Sequence, residues 1–213
     1  MNVPWFVYAG SVAQLLPLLA AASRRPLLTP ARRWVAGWCA FLLASDLLVL
    51  ILANQGRNNH WVTYVVTPIE VGMVLWAISF WQESRTSALV IRRMIPVLWV
   101  AWIAMVLGFE NTQTFSVLAQ PIEGLFVVAV VAWTLVTRAA REPGLLRQQD
   151  WLWMGIGIAI YFGGVVTLPP VSYLLLPESP NLVIRAYEIR GALNILAFML
   201  IARGFFCRSR GVG

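Results

Sequence analysis

Lysine is missing from this chain: all 16 basic residues are arginine. Histidine occurs once, cysteine twice, and charged residues make up only 12% of the 213 positions. Each shortage excludes something. Without lysine no Schiff base can form, which removes retinal-type mechanisms. One histidine, His60, cannot supply the several His or Cys ligands of a buried zinc hydrolase or the pair of a bis-histidine haem. Cys39 and Cys207 lie far apart and give no disulfide framework. There is no Gly-x-Ser-x-Gly elbow and no P-loop. A soluble domain would carry about twice this charged fraction. A disordered chain would not be 60% hydrophobic. The formal charge of +7 does not point to nucleic acid, because too few polar residues remain to clothe a soluble core.

What the chain does have is long apolar runs. Spanning a bilayer takes about 20 mostly apolar residues. Seven stretches qualify, roughly 4–22, 34–53, 61–81, 94–109, 114–136, 151–168 and 182–202. They use nearly the whole chain and leave no room for a separate catalytic or output domain. The expectation is an all-α polytopic membrane protein, residues 1–213 forming one seven-helix transmembrane domain. The opening Met1-Asn2-Val3-Pro4-Trp5 has no basic n-region, so the first stretch is expected to be a span and not a cleaved leader.

Arginine placement gives the expected orientation. Arg24, Arg25, Arg32 and Arg33 follow the first stretch; Arg85, Arg92 and Arg93 follow the third. Arg138, Arg141 and Arg147 follow the fifth, and Arg203, Arg208 and Arg210 follow the last. Thirteen arginines thus mark one side, which the positive-inside rule assigns to the cytoplasm. The N-terminus is then outside and the C-terminus cytoplasmic, in a bacterial cytoplasmic (inner) membrane. Trp5, Trp34, Trp61, Trp81, Trp151 and Trp153 fall near span ends and read as an interfacial belt. Trp76, Trp99, Trp102 and Trp133 lie deeper and are expected to pack or to meet lipid.

Two segments echo each other. Thr63-Tyr64-Val65-Val66-Thr67-Pro68-Ile69-Glu70 lies in the third stretch and Ser116-Val117-Leu118-Ala119-Gln120-Pro121-Ile122-Glu123 in the fifth. Both place Pro-Ile-Glu about ten residues from the outer end, on the order of 14 Å deep. Helical steps of three and four put Asn59 or His60, Thr63, Thr67 and Glu70 on one face, and Gln113, Ser116, Gln120 and Glu123 on another. Below the glutamates the stripes turn apolar, at Val74 and Ala77 and at Val127 and Val130. Asn181, Arg185 and Glu188 repeat the pattern in the last stretch, and Ser11 and Gln14 weakly in the first. The odd-numbered spans would then form a helix-pair repeat. Arg190 and Asn194 fall on a different face from Glu188 and are expected at helix–helix contacts, as are Gly155, Gly157, Gly163 and Gly164.

Charges within a bilayer are expensive and seek partners. Asp46, Glu70, Glu123 and Glu188 are four acids against Arg185 and Arg190, a surplus that bound protons or a cation would offset. Pro68 and Pro121 are expected to kink their helices beside the acids and widen a pocket. The expected ligand or ion site comprises Glu70, Glu123, Glu188, Arg185, Thr63, Thr67, Ser116, Gln120, Asn59 and His60, with Asp46, Gln14 and Asn181 behind them. The competing reading is that these groups satisfy one another and only hold the bundle together. His60 reads first as an interfacial hydrogen-bonding residue and second as a pH sensor. A metal held by carboxylates alone would be Ca, Mg or Mn, with nothing to fix its geometry. No prosthetic group is called for; a bound cation or lipid fits the stripe.

Asn58-Asn59-His60-Trp61 with Pro68-Ile69-Glu70, and Phe115-Ser116 with Pro121-Ile122-Glu123, resemble a pattern in small uncharacterised bacterial seven-helix membrane proteins. Asp150-Trp151-Leu152-Trp153 running to Ile160-Tyr161-Phe162-Gly163-Gly164 is similar to their sixth helix, and Ala192-Leu193-Asn194-Ile195-Leu196 to their last. The likeness covers most of residues 35–205, in a chain richer in Arg, Ala, Val and Trp than those proteins. It implies seven helices and a shared polar site, and no activity.

Three function classes follow. One is a receptor-like sensor that binds a small molecule or ion from outside and signals through a cytoplasmic partner. Another is a small-molecule or ion-coupled transporter, which intramembrane acids and kinked helices suit. The last is a structural subunit of a larger membrane complex. An enzyme using paired carboxylates as acid and base stays open beside them, less favoured than a non-enzymatic role.

Overall fold

The computed structural model describes residues 5–25, 28–114, 116–141, 146–175 and 179–207. Residues before Trp5, Phe115, Arg208 and Arg210 lie outside that set, as does the side chain of Trp5. Among the described residues there is no strand. The elements are α1 (Trp5–Ala13), α2 (Leu15–Ser23), α3 (Pro30–Asn54), α4 (His60–Ser79), α5 (Arg85–Phe109), α6 (Ala119–Arg141), α7 (Asp150–Leu175) and α8 (Pro180–Phe206). The last six, α3 to α8, are long and apolar enough to cross a membrane.

The first expected span is divided. Pro17 has no N–H to offer the carbonyl of Ala13, four residues earlier. The chain accordingly makes a tight turn at Gln14, whose N–H goes to Ser11 O at 3.2 Å, and α2 starts afresh at Leu15. Local chemistry sets other boundaries. Thr29 caps α3 through Arg32 N at 3.4 Å, with Pro30 at the first helical position. At the far end of α3, Gly56 has φ 66°. Gly56 N bonds Ala53 O at 3.0 Å and Arg57 N bonds Leu52 O at 2.9 Å, a Schellman closure that needs glycine. Ser84 caps α5 through Ser87 N at 2.9 Å, so this helix starts at Arg85, well before the expected 94. Helix α7 runs on through Pro169 and Pro170 to Leu175, past the expected 168. Helix α6 begins only at Ala119 and not at 114.

Helices α7 and α8 pack tightly along their length. A Cβ on Gly157 of α7 would lie 2.6 Å from Ala197 O of α8, so only glycine fits there. Gly163, expected at a packing contact, faces open space. The core centres on Trp38 of α3, fully buried. Its ring meets Tyr161 edge-on at 5.3 Å and stacks on Phe162 at 6.1 Å, with Phe198 at 6.4 Å, which joins α3, α7 and α8.

The arginine-rich end is more than a charge ruler. Arg32 is 2% exposed. Its Nε donates to Asp150 Oδ2 at 2.8 Å and its Nη2 to Cys207 O at 2.7 Å, tying the starts of α3 and α7 to the end of α8. Arg92 lies 4.9 Å from the Trp76 ring and 4.8 Å from Phe80; Arg138 lies over Trp151 and Arg203 over Trp153. Planar guanidinium groups stack on aromatic faces in a way that an ammonium does not, a positive reason for arginine in place of lysine. Trp81 and Trp151, expected in the belt, are buried at 5% and 1% exposure because helices pack around both; Trp34 and Trp61 are exposed.

Candidate functional site

At the end of the bundle opposite this arginine cluster lies a cavity of about 390 Å³. It forms between α1, the C-terminal half of α3, the first turns of α4 and α6, the C-terminal part of α7 and the middle of α8. Its polar lining includes Asp46, Asn59, His60, Thr63, Ser116, Gln120, Arg190 and Asn194. Phe6, Val49, Leu50 and Pro169 add apolar surface.

The two stripes do face inward. Thr63 and Gln120 line the cavity, and one turn further in Thr67, Glu70 and Glu123 are buried at 1%, 2% and 1% exposure. The α4 stripe comes from helical periodicity, as read. The α6 stripe does not, in its upper part. Because α6 starts at Ala119, Ser116 precedes the helix and caps it, its Oγ accepting from Gln120 N at 3.0 Å. Pro121 then sits in the first turn, where its missing N–H is lost without penalty, so it cannot open the helix as expected. Gln113 is exposed and holds Asn58 instead, at 2.5 Å.

Ser116 is itself held by a carboxylate that helical periodicity does not single out. The Glu110 carboxylate accepts from Ser116 Oγ at 2.8 Å, Leu118 N at 2.7 Å and Ala119 N at 2.9 Å. An anion at a helix N-terminus satisfies orphan N–H groups and the helix dipole together. A carboxylate shortly before a helix start is the signal that could have found it.

Half-buried Asp46 and the buried Glu70 and Glu123 have different surroundings. Asp46 Oδ2 accepts from Gln14 Nε2 at 2.6 Å and from Ser11 Oγ at 3.3 Å. The break between α1 and α2 is thus pinned to α3. Glu70 Oε2 accepts from Tyr161 Oη at 3.2 Å, and the Trp38 indole N–H lies close by. Glu123 interacts electrostatically with Glu70. Among the described residues neither oxygen of Glu123 has a hydrogen-bond partner. Arg190 interacts electrostatically with both Asp46 and Glu70, yet among the described residues it forms no hydrogen bond or close ion pair.

Helix α8 turns a different face to the cavity from the one the sequence suggested. Asn181, Arg185 and Glu188 share a face, but all three are exposed and none lines the cavity. Arg190, Gly191 and Asn194 line it instead, with Tyr187. The reason is packing: α1, α2 and α7 fix the rotation of α8. Gly191 lies against Phe6 of α1, where a Cβ would be 3.4 Å from Phe6 O. His60 and Asn59 are at the cavity mouth, with Asn59 Nδ2 donating to Val49 O at 3.4 Å. Among the described residues no three His, Cys, Asp or Glu side chains converge to hold a metal ion.

Between the cavity and the arginine cluster lies a packed apolar layer that includes Val74, Ile78, Val127, Val131, Met154, Ile158 and Ile201. Comparison with family models, curated proteins and solved structures returned no match.

Proposed function

We propose that this chain is a multi-pass membrane protein that takes a small molecule into the cavity from outside and signals its occupancy to a cytoplasmic partner. In this reading α1 and α2 together make a broken seventh crossing. The arginine cluster faces the cytoplasm, the N-terminus is outside, and the membrane is the bacterial inner membrane. The likeness to small bacterial seven-helix proteins and the paired Pro-Ile-Glu stripes, read as a helix-pair repeat, belong to the same proposal. The observation that carries it is Arg190, a full charge in the bundle at a cavity wall, with no hydrogen bond or close ion pair among the described residues. Such a group in a membrane protein is expensive unless a partner or water meets it. The cavity volume lies within the range of small-molecule sites, about 300–1,000 Å³.

The packed layer beneath the cavity favours sensing over passage. One observation supports transport as a second reading: the α1–α2 break at Gln14 lies beside the cavity, and discontinuous helices at substrate sites are a transporter device. Flux of a bound molecule in proteoliposomes would decide for transport.

The test of the pocket is access. In a Cys207→Ser background Cys39 is fully buried, so Val49→Cys offers a single reactive thiol at the cavity wall. A small charged methanethiosulfonate reagent, added to intact cells, is expected to modify it. Failure to react, with the folded protein present, would remove the outward-pocket reading.

A further inference from the structure

We infer that the cavity is a binding site for a small zwitterion, a molecule of free amino acid or betaine type that carries a carboxylate and an ammonium a few bonds apart. This deepens the pocket reading above and rests on it. Two opposite charges on the cavity wall do not touch. Arg190 comes from α8 and Asp46 from α3. They attract each other, but among the described residues they make no close ion pair. A direct pair would have spent both charges; the gap leaves each with unused capacity.

That capacity is specific. Guanidinium presents five donors in a planar fork shaped for a carboxylate, and none of them is used by the described residues. Asp46 has Oδ2 committed to Gln14 and Ser11 and no hydrogen bond on Oδ1 among the described residues. Gln14 and Ser11 thereby fix the carboxylate in place, which spares a ligand the ordering of a loose side chain.

Charge balance selects among ligands. Among the described residues the acids at or just beneath the cavity are Asp46, Glu70 and Glu123, and the one arginine in its lining is Arg190, with His60 also on the wall. A phosphate or simple carboxylate would find an arginine, but it would also meet the Asp46 carboxylate in the same cavity. A simple amine would find Asp46 and leave Arg190 unspent and repelling. A zwitterion meets both and adds no net charge. The lining also holds the uncharged Thr63, Ser116 and Gln120, and Phe6, Val49 and Leu50 offer apolar surface for a side chain.

The experiment uses the full chain in nanodiscs and matched probes. Leucine is compared with 4-methylpentanoate and 3-methylbutylamine, and phenylalanine with 3-phenylpropanoate and 2-phenylethylamine. The other common amino acids and glycine betaine complete the set. Thermal stabilisation ranks the probes, and calorimetry gives their affinities. At least one zwitterion is expected to bind, with each single-charge counterpart weaker by about tenfold or more, the value of one charge-assisted hydrogen bond. Arg190→Gln and Asp46→Asn are each expected to weaken the zwitterion by a similar factor. In Asp46→Asn the zwitterion should also lose its advantage over the carboxylate-only probe. Asp46→Asn carries the variant test if Arg190→Gln does not fold, and the probe comparison needs no variant. If a single-charge probe binds as well as its zwitterion, the zwitterion assignment falls while the pocket stands. If no zwitterion binds although Val49→Cys is reached by thiol reagent, the assignment falls as well.

Discussion

The indole N–H of Trp102 in α5 donates to the backbone carbonyl of Tyr64 in α4 at 3.2 Å. That carbonyl is the one Pro68 leaves without its helical donor, four residues on. One turn later, Trp99 Nε1 donates to Pro68 O at 2.7 Å. The proline beside Glu70 is therefore braced by a neighbouring helix, and Trp99 and Trp102 have a defined task. Trp102→Phe should leave a buried carbonyl unpaired and cost about 1–3 kcal/mol. Restoring the N–H with Pro68→Ala in the same chain should recover much of it. Reversible unfolding in mixed micelles, run as a double-mutant cycle, measures the coupling. Simple additivity would mean that the indole does not replace the missing donor.

Glu123 should be a destabilising residue. It is 1% exposed, and neither oxygen has a hydrogen-bond partner among the described residues. Burial of a polar group without compensation costs about 1–3 kcal/mol. Glu123→Met is expected to raise the melting temperature of the purified protein. Tyr161→Phe removes a partner of Glu70 and is expected to lower it. A Glu123→Met protein that melted lower than the parent would show that the carboxylate has a stabilising partner.

Arg32 and Asp150 should be intolerant of change. Loss of one partner from a buried pair costs about 3–5 kcal/mol. Arg32→Gln and Asp150→Asn are expected to unfold at lower denaturant. Arg32→Lys should rescue poorly, because one ammonium cannot reproduce the bonds to both Asp150 and Cys207. Faster amide exchange at the C-terminal end of α8 is the local readout.

Glu110→Ala should loosen the start of α6 without unfolding the bundle. Three hydrogen bonds from Ser116, Leu118 and Ala119 end on that carboxylate. A loss of about 0.5–2 kcal/mol is expected. Faster exchange confined to residues around 118–122 would mark it as a cap.

The proposed orientation is checked by labelling. Gln55 lies at the cavity end and Gln148 at the arginine end, and both are exposed. In the Cys207→Ser background, an impermeant maleimide applied to intact cells should label Gln55→Cys and spare Gln148→Cys. The reverse pattern would invert the protein.

Composition and periodicity made much of this chain legible. An absence of lysine, scarce charge and recurrent apolar runs determine an all-helical chain suited to a bilayer. Steps of three and four in α4 determine that Asn59, Thr63, Thr67 and Glu70 share a face, because helix geometry is local. Pro17 marks where a break between α1 and α2 can form, but Pro68, Pro96, Pro169 and Pro170 withdraw donors inside helices that continue, so the proline alone does not decide it. Tertiary structure decided the rest. Which side of α8 meets the cavity depends on how α1, α2 and α7 pack around it, so Arg190 faces in and Arg185 and Glu188 face out. Trp38, Tyr161 and Arg32 matter through neighbours more than a hundred residues away, which no window of sequence brings together. The pairing of Trp102 with the carbonyl freed by Pro68 is of the same kind: the proline fixes the vacancy, and only the packing of α5 on α4 fills it.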